Sequence, residues 1–167
     1  ETGNTSNVIA AINWAIADNP AGKRAVLNMS LGSTSPSGRD SAMDQAVTNA
    51  LGDGIVVVVA AGNSAATKQT DGTIDGLACD YSPANSPGTL TVGAVDSAGR
   101  EAYFSNYGQC VDIMAPGVNI RSLDATNTAA SLSLSGTSMA SPHVAGAVAL
   151  YIAEHPTEAN FIGGDGV

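Results

Sequence analysis

The run Ile55-Val56-Val57-Val58-Val59-Ala60-Ala61 constrains the fold more than any other stretch. Its residues are β-branched or small, and apolar at both alternations. A strand with one wet face would alternate; an unbroken run requires cover on both faces. The segment before it, Arg39 to Asp53, has helical spacing. Ala42, Met43, Ala46, Val47, Ala50 and Leu51 share one face, and Gly52 and Gly54 stop it. Earlier, Ala25 to Leu31 reads as a short strand. Ser6 is placed to cap a helix through Val8, Ile9, Ile12 and Ile16 to about Asp18, broken by Asn19-Pro20-Ala21-Gly22. Alternating helices and strands predict a doubly wound α/β fold, a mostly parallel sheet with helices on both faces. Thr89–Val95 and Cys110–Met114 read as further strands, and Leu132–Ser135 as one more. Gly32–Gly38 is a loop. Ala61–Pro87 is long and polar, a length that implies function or internal contacts.

A chain of 167 residues has room for one domain with a real core. Neither a repeat, a low-complexity tract nor a linker divides it. Aromatics are 4% and Gly numbers 19, so the core is built from small side chains. No apolar run approaches the ~18 residues of a membrane span. The net charge of −9 makes nucleic acid and anionic membranes poor partners and leaves a metal cation compatible. Glu1 onwards is polar, with no signal peptide, as expected of a mature or processed piece. Cys79 and Cys110 form no C-x-x-C, which argues against zinc or redox chemistry; alone they read as a pair of free buried thiols. Asn4-Thr5-Ser6 is an accessible glycosylation sequon. Asn28-Met29-Ser30 is another, in a strand and poorly accessible.

The chemistry concentrates in Leu134–Glu154. Val144, Ala147, Val148, Tyr151 and Ile152 predict a helix with one buried face. Thr137 or Ser138 is placed to cap its first turn, and Pro142 places the helix start close before it or a bend there. A serine at this point lies against unpaired N–H groups and the positive end of the dipole, a setting for a nucleophilic oxygen beside a developing oxyanion. By itself it is also a plain cap. The eleven residues Gly136-Thr137-Ser138-Met139-Ala140-Ser141-Pro142-His143-Val144-Ala145-Gly146 resemble the active-serine motif of the subtilisin-like serine proteases, near their proteinase K branch. The resemblance implies that Ser138 is the acylated nucleophile.

Ala60-Ala61-Gly62-Asn63 follows the buried strand, where doubly wound folds gather ligands. Taken alone, Asn63 is a turn asparagine. Beside the serine motif it resembles the family's oxyanion segment, with its side-chain N–H and the Ser138 N–H as donors. Ser30-Leu31-Gly32 resembles the family's substrate-pairing edge, which borders the specificity pocket together with Ala60, Ala61 and Gly62. The regions around Cys79 and Cys110 resemble those joined by a disulfide in some secreted relatives. Pro87, Thr89 and Asp112 match a family calcium site of two carbonyls and one carboxylate; without the family, Asp112 is a turn cap.

A triad base is missing. The family order is Asp, His, Ser, and neither an Asp-Thr-Gly-like nor a Gly-His-Gly-Thr-His-like segment occurs. His143 lies five residues past Ser138 at a position structural in the family. His155 is about 25 Å along the helix at ~1.5 Å per residue. The resemblance therefore implies that residues 1–167 are the later, serine-bearing portion of a secreted catalytic domain. Its Asp/His portion and C-terminal end are expected to be absent, so the fold is incomplete. The expected activity is endopeptidase cleavage of a peptide or protein substrate, with an N-terminal fragment of the same protease as the completing partner. The alternatives are a nicked enzyme and a catalytically inactive subtilisin-like domain used as a structural or binding module.

Overall fold

A computed structural model describes residues 3–20, 23–35, 39–66, 75–124 and 126–155. The expected frayed end, Asn160–Val167, lies outside them, as do two residues of the expected breaker at 19–22. Helix α1 (Thr5–Asp18) is followed by β1 (Ala25–Met29), a two-residue strand β2 (Ser33–Thr34), α2 (Ser41–Gly52) and β3 (Ile55–Ala60). After a short 3-10 turn (Ala78–Asp80) come β4 (Tyr81–Ser82), β5 (Leu90–Val95), β6 (Ile113–Pro116), the pair β7 (Ile120–Asp124) and β8 (Asn127–Leu134), and α3 (Thr137–Glu154).

The central sheet runs β1-β3-β5-β6, every pairing parallel. All six residues of β3 are buried, as its composition requires. Its period of two divides them between two cores. Ile55, Val57 and Val59 join Ile12 of α1 and Met43, Ala46, Val47 and Ala50 of α2. Val56 and Val58 join Val92, Ala94 and Ala115 with Ala140, Val144 and Val148 of α3. The doubly wound, mostly parallel architecture is thus the one expected, with helices on both faces.

Local details differ from the sequence reading. The cap of α1 is Asn4, whose carboxamide accepts from the Ser6 N–H at 2.9 Å; Ser6 only adds its hydroxyl to the same oxygen. The Cys110–Met114 strand begins three residues later, at Ile113, because Cys110 sits in a turn. The expected Leu132–Ser135 strand is the end of the longer β8, which stops at Leu134 and pairs antiparallel with β7, a strand the polar sequence concealed. Within the expected loops, β2 and β4 pair antiparallel, Ser33 with Ser82 and Thr34 with Tyr81. On α3 the buried face is Thr137, Ala140, Ser141, Val144 and Val148. Ala147 and Tyr151 are exposed and border a shallow apolar hollow over Ile113 and Met114.

Candidate functional site

In a parallel sheet the carboxyl ends of adjacent strands open on one rim, and a following helix can aim its N-terminus there. Here β1 delivers Ser30, β3 delivers Gly62 and Asn63, and α3 begins at Thr137. Neither Thr137 nor Ser138 caps α3. The cap position is Gly136, which offers no side chain, and the cap comes from another loop. Asn63 Oδ1 accepts from the Thr137 N–H at 2.8 Å and from the Thr137 hydroxyl at 3.0 Å. The Thr137 hydroxyl oxygen in turn accepts from the Gly62 N–H at 3.1 Å.

This arrangement sorts donors from acceptors. With its oxygen committed to Thr137, the Asn63 carboxamide has its Nδ2 hydrogens free of any partner among the described residues. In the first turn of α3, the Thr137 N–H goes to Asn63, and the Met139 and Ala140 N–H groups go to the Gly136 carbonyl. The Ser138 N–H is left without a described partner. Two unspent N–H donors from different elements therefore stand at the first turn of α3, one on Ser138 and one on the side chain bonded to its neighbour Thr137, at the positive end of an 18-residue helix.

The loop carrying Asn63 is rigidly tethered. The Ala61 N–H donates to Val92 at 2.9 Å. Asn106, fully buried, gives its Nδ2 to the Ala61 carbonyl at 2.8 Å and accepts from the Ser64 N–H at 2.7 Å. Its own N–H bonds the Gly62 carbonyl at 2.9 Å. Gly62 has φ of 106°, and a Cβ there would overlap the Asn106 amide. Sequence reading gave Asn106 no role. One buried asparagine pinning a loop has no spacing signature.

On the other side, Ser138 Oγ donates to the Ser30 carbonyl at 3.3 Å, and Ser30 Oγ donates to the Ser138 carbonyl at 3.0 Å. Leu31 is 41% exposed and Gly32 is exposed, whereas Ala60 and Ala61 are buried. Ser30–Gly32 and Ala60–Gly62 thus leave adjacent strands on either side of the serine. A cleft of about 690 Å³ opens beside Asn63, walled by Phe104, Ser135, Asn119 and Glu101. On its rim, the Arg100 guanidinium and backbone hold the Asp96 carboxyl below its usual range. Tyr81, buried near this loop, has its hydroxyl pushed up by desolvation.

His143 does not approach as a base in this arrangement: its Nδ1 lies 2.8 Å from the Met139 carbonyl of its own helix. His155 stacks on Tyr151 at 4.1 Å, at the far end of α3. Cys79 and Cys110 are joined in a disulfide, their Cα atoms 5.3 Å apart. Asp112 Oδ2 accepts from the Thr91 N–H at 2.7 Å, and the Asp112 N–H bonds the Thr91 carbonyl at 2.9 Å. Its carboxylate is thereby fixed beside the strand that Pro87 and Thr89 lead into. Among the described residues, no three His, Cys, Asp or Glu side chains cluster as a metal site, and no helix is long and apolar enough to cross a membrane.

Comparison with known proteins agrees with this geometry. The subtilase family matches residues 1–161. An extracellular serine proteinase of Thermus sp. (strain Rt41A) is 46% identical over 156 residues, 93% of this chain and 34% of the relative. Alkaline serine exoprotease A of Vibrio alginolyticus is 44% identical over 92% of this chain and 26% of its own length. The crystal structure of a cold adapted subtilisin-like serine proteinase superposes with a TM-score of 0.77 at 40% identity, covering 92% of this chain and 50% of that one. The chain spans 34% and 26% of those two curated relatives and half of the solved structure.

Proposed function

The chain belongs to the subtilase family, and from that premise we propose that it is the later, serine-bearing portion of a secreted endopeptidase's catalytic domain. In this reading Ser138 is the nucleophile. The Asn63 Nδ2 and the Ser138 N–H receive the oxyanion that forms when Ser138 attacks a peptide carbonyl. Ser30, Leu31 and Gly32 pair with the substrate backbone as an added strand, and Ala60, Ala61 and Gly62 border the adjoining pocket. A histidine oriented by an aspartate, on the portion of the fold this chain does not span, takes the serine proton. The observation that carries the reading is the pair of unspent donors at the start of α3, the Ser138 N–H and the Nδ2 of Asn63, whose oxygen is committed to Thr137. Secretion accords with the extracellular relative from Thermus and with the disulfide.

A fluorophosphonate probe tests this. The isolated chain is expected to label immeasurably slowly, since a serine without a base is a weak nucleophile at neutral pH. Joined to the aspartate- and histidine-bearing portion, it should label at Ser138, and Ser138→Ala should abolish labelling. The alternative is an inactive structural or binding module. It is favoured by Ser138 Oγ resting on a backbone carbonyl rather than an imidazole, and it predicts no labelling even after joining.

Subtilases commonly bind calcium, and the donor set here suits that ion. The Pro87 and Thr89 carbonyls and the Asp112 carboxylate are hard oxygens, and no described residue occupies the second Asp112 oxygen. A chelator should lower the melting temperature, by the equivalent of about 2.7 kcal/mol where free calcium was a hundredfold above its Kd. Identical melts with and without chelator would remove calcium from the account.

A further inference from the structure

Pro142 lies inside α3, five residues after its first residue. The sequence reading set the helix start close before it, or a bend there; the helix begins at Thr137 and runs on through Pro142. A proline there has no N–H to give the carbonyl four residues back, and that carbonyl belongs to Ser138. The carbonyl is not left open: the Ser30 hydroxyl donates to it at 3.0 Å. The Ser30 hydroxyl is itself held. Asn28 Nδ2 donates to it at 3.0 Å, and Asn28 Oδ1 accepts from the fully buried Ser141 hydroxyl at 2.7 Å. The chain of bonds leaves α3 at Ser141, crosses to β1 and returns to α3 at Ser138. Asn28 thus uses its Oδ1 and one Nδ2 hydrogen, although it is exposed, against the poor access expected of this sequon.

We infer that the Ser30 hydroxyl is a positioning residue for Ser138, standing in for the helical N–H that Pro142 lacks. Fixing the Ser138 carbonyl fixes the peptide plane that follows it; with the Thr137 N–H held by Asn63 on the other side, it narrows the backbone rotation left to Ser138 and so steadies the N–H and side chain it carries. The return bond, Ser138 Oγ to the Ser30 carbonyl at 3.3 Å, keeps the resting hydroxyl on the same side of the site. This role belongs to the Ser30 side chain and is separate from any pairing of its backbone with substrate. It rests on the reading of Ser138 as nucleophile.

The logic predicts a specific compensation. Pro142→Ala restores an N–H at position 142, which can take the Ser138 carbonyl and make the Ser30 hydroxyl redundant. The measurement is fluorophosphonate labelling of this chain joined to the aspartate- and histidine-bearing portion, with rate and apparent probe affinity separated and each variant's melting temperature recorded. Ser30→Ala is expected to slow the labelling step about tenfold with little change in affinity. Ser30→Thr, which keeps the hydroxyl, should restore most of the rate. In the Pro142→Ala background, Ser30→Ala should cost less than about twofold, because the carbonyl is already satisfied. Equal losses in the two backgrounds, or no loss in either, would overturn the inference. In the 167-residue chain, the Ser138 carbonyl carbon-13 resonance should move upfield in Ser30→Ala and stay in place when Pro142→Ala is added. An unmoved resonance in Ser30→Ala overturns the inference independently of activity. Labelling that survives Ser138→Ala would instead sink the nucleophile assignment beneath it, a failure distinct from equal losses.

Discussion

The exits of β1 and β3 lie side by side and are built to opposite standards. After β3, the backbone from Ala61 to Ser64 is bonded by Val92, Thr137 and three groups of Asn106, its N–H and both ends of its side-chain amide. That frame is braced from behind. The Tyr107 N–H donates to the Gly76 carbonyl and the Ala78 N–H to the Tyr107 carbonyl, each at 2.9 Å, and the Cys79–Cys110 disulfide ties the same two segments. After β1, Ser30 is held by the two bonds to Ser138 and one from Asn28, and beyond it only the short Ser33–Ser82 pairing is described, with Leu31 and Gly32 facing solvent. An oxyanion donor is useful only if it is already in place when charge develops. A strand that receives a peptide must keep its own N–H and C=O groups open. The contrast is what the proposed division of labour requires.

The sharpest way to break the comparison is to place a side chain in the tethered exit. Gly62→Ala would hold an L-residue at φ of 106° and push its Cβ into the Asn106 amide. Strain and overpacking together should cost about 3–5 kcal/mol in urea unfolding. A loss below about 1 kcal/mol would mean that the exit can relax and is no stiffer than its neighbour. Next in size is the brace. Replacing Cys79 and Cys110 by serine opens a loop of 31 residues and should cost about 3 kcal/mol. If the exit after β3 is a separate rigid unit, amide exchange at Ala61 and Asn106 should quicken in that variant, while exchange at Ser30–Gly32 stays fast in both. Uniform loss of protection would erase the distinction.

How much of this was legible in the sequence follows the same divide. The doubly wound sheet could be read because β3 carries its own signature: seven consecutive apolar residues admit no other burial. Helix α2 was readable for the same reason, since Met43, Ala46, Val47 and Ala50 repeat at helical spacing and are the residues buried. Ser138 and Asn63 were found through motif resemblance, and the rim of the sheet brings both loops to one place. The cap on α3 was misassigned because Asn63 Oδ1 reaches Thr137 across 74 positions in the chain, and capping rules look only a few residues away. Asn106, Asn28 and Ser141 were missed for that reason too: each acts through bonds to residues distant in the chain, which periodicity cannot encode. Strand β7 and the first half of β8 were obscured because, among the described residues, the two strands pair only with each other, so no core face imposes alternation on them.

The smallest expected effect completes the contrast. Gly32→Ala tests whether the exit after β1 tolerates what the exit after β3 forbids. Gly32 does not have the positive φ of Gly62. A Cβ there meets only the Ser82 carbonyl oxygen, at 3.4 Å, an ordinary contact. The substitution also removes chain freedom from the unfolded state, which offsets part of any native crowding. Urea unfolding should therefore change by no more than about 0.5 kcal/mol in either direction. Function gives a second measure. If Gly32 belongs to the open edge that pairs with substrate, the added methyl should weaken apparent binding of a peptidyl fluorophosphonate more than that of a simple alkyl probe. Equal effects on both probes would take Gly32 out of the substrate edge. A stability loss as large as that of Gly62→Ala would show that the two exits are held alike.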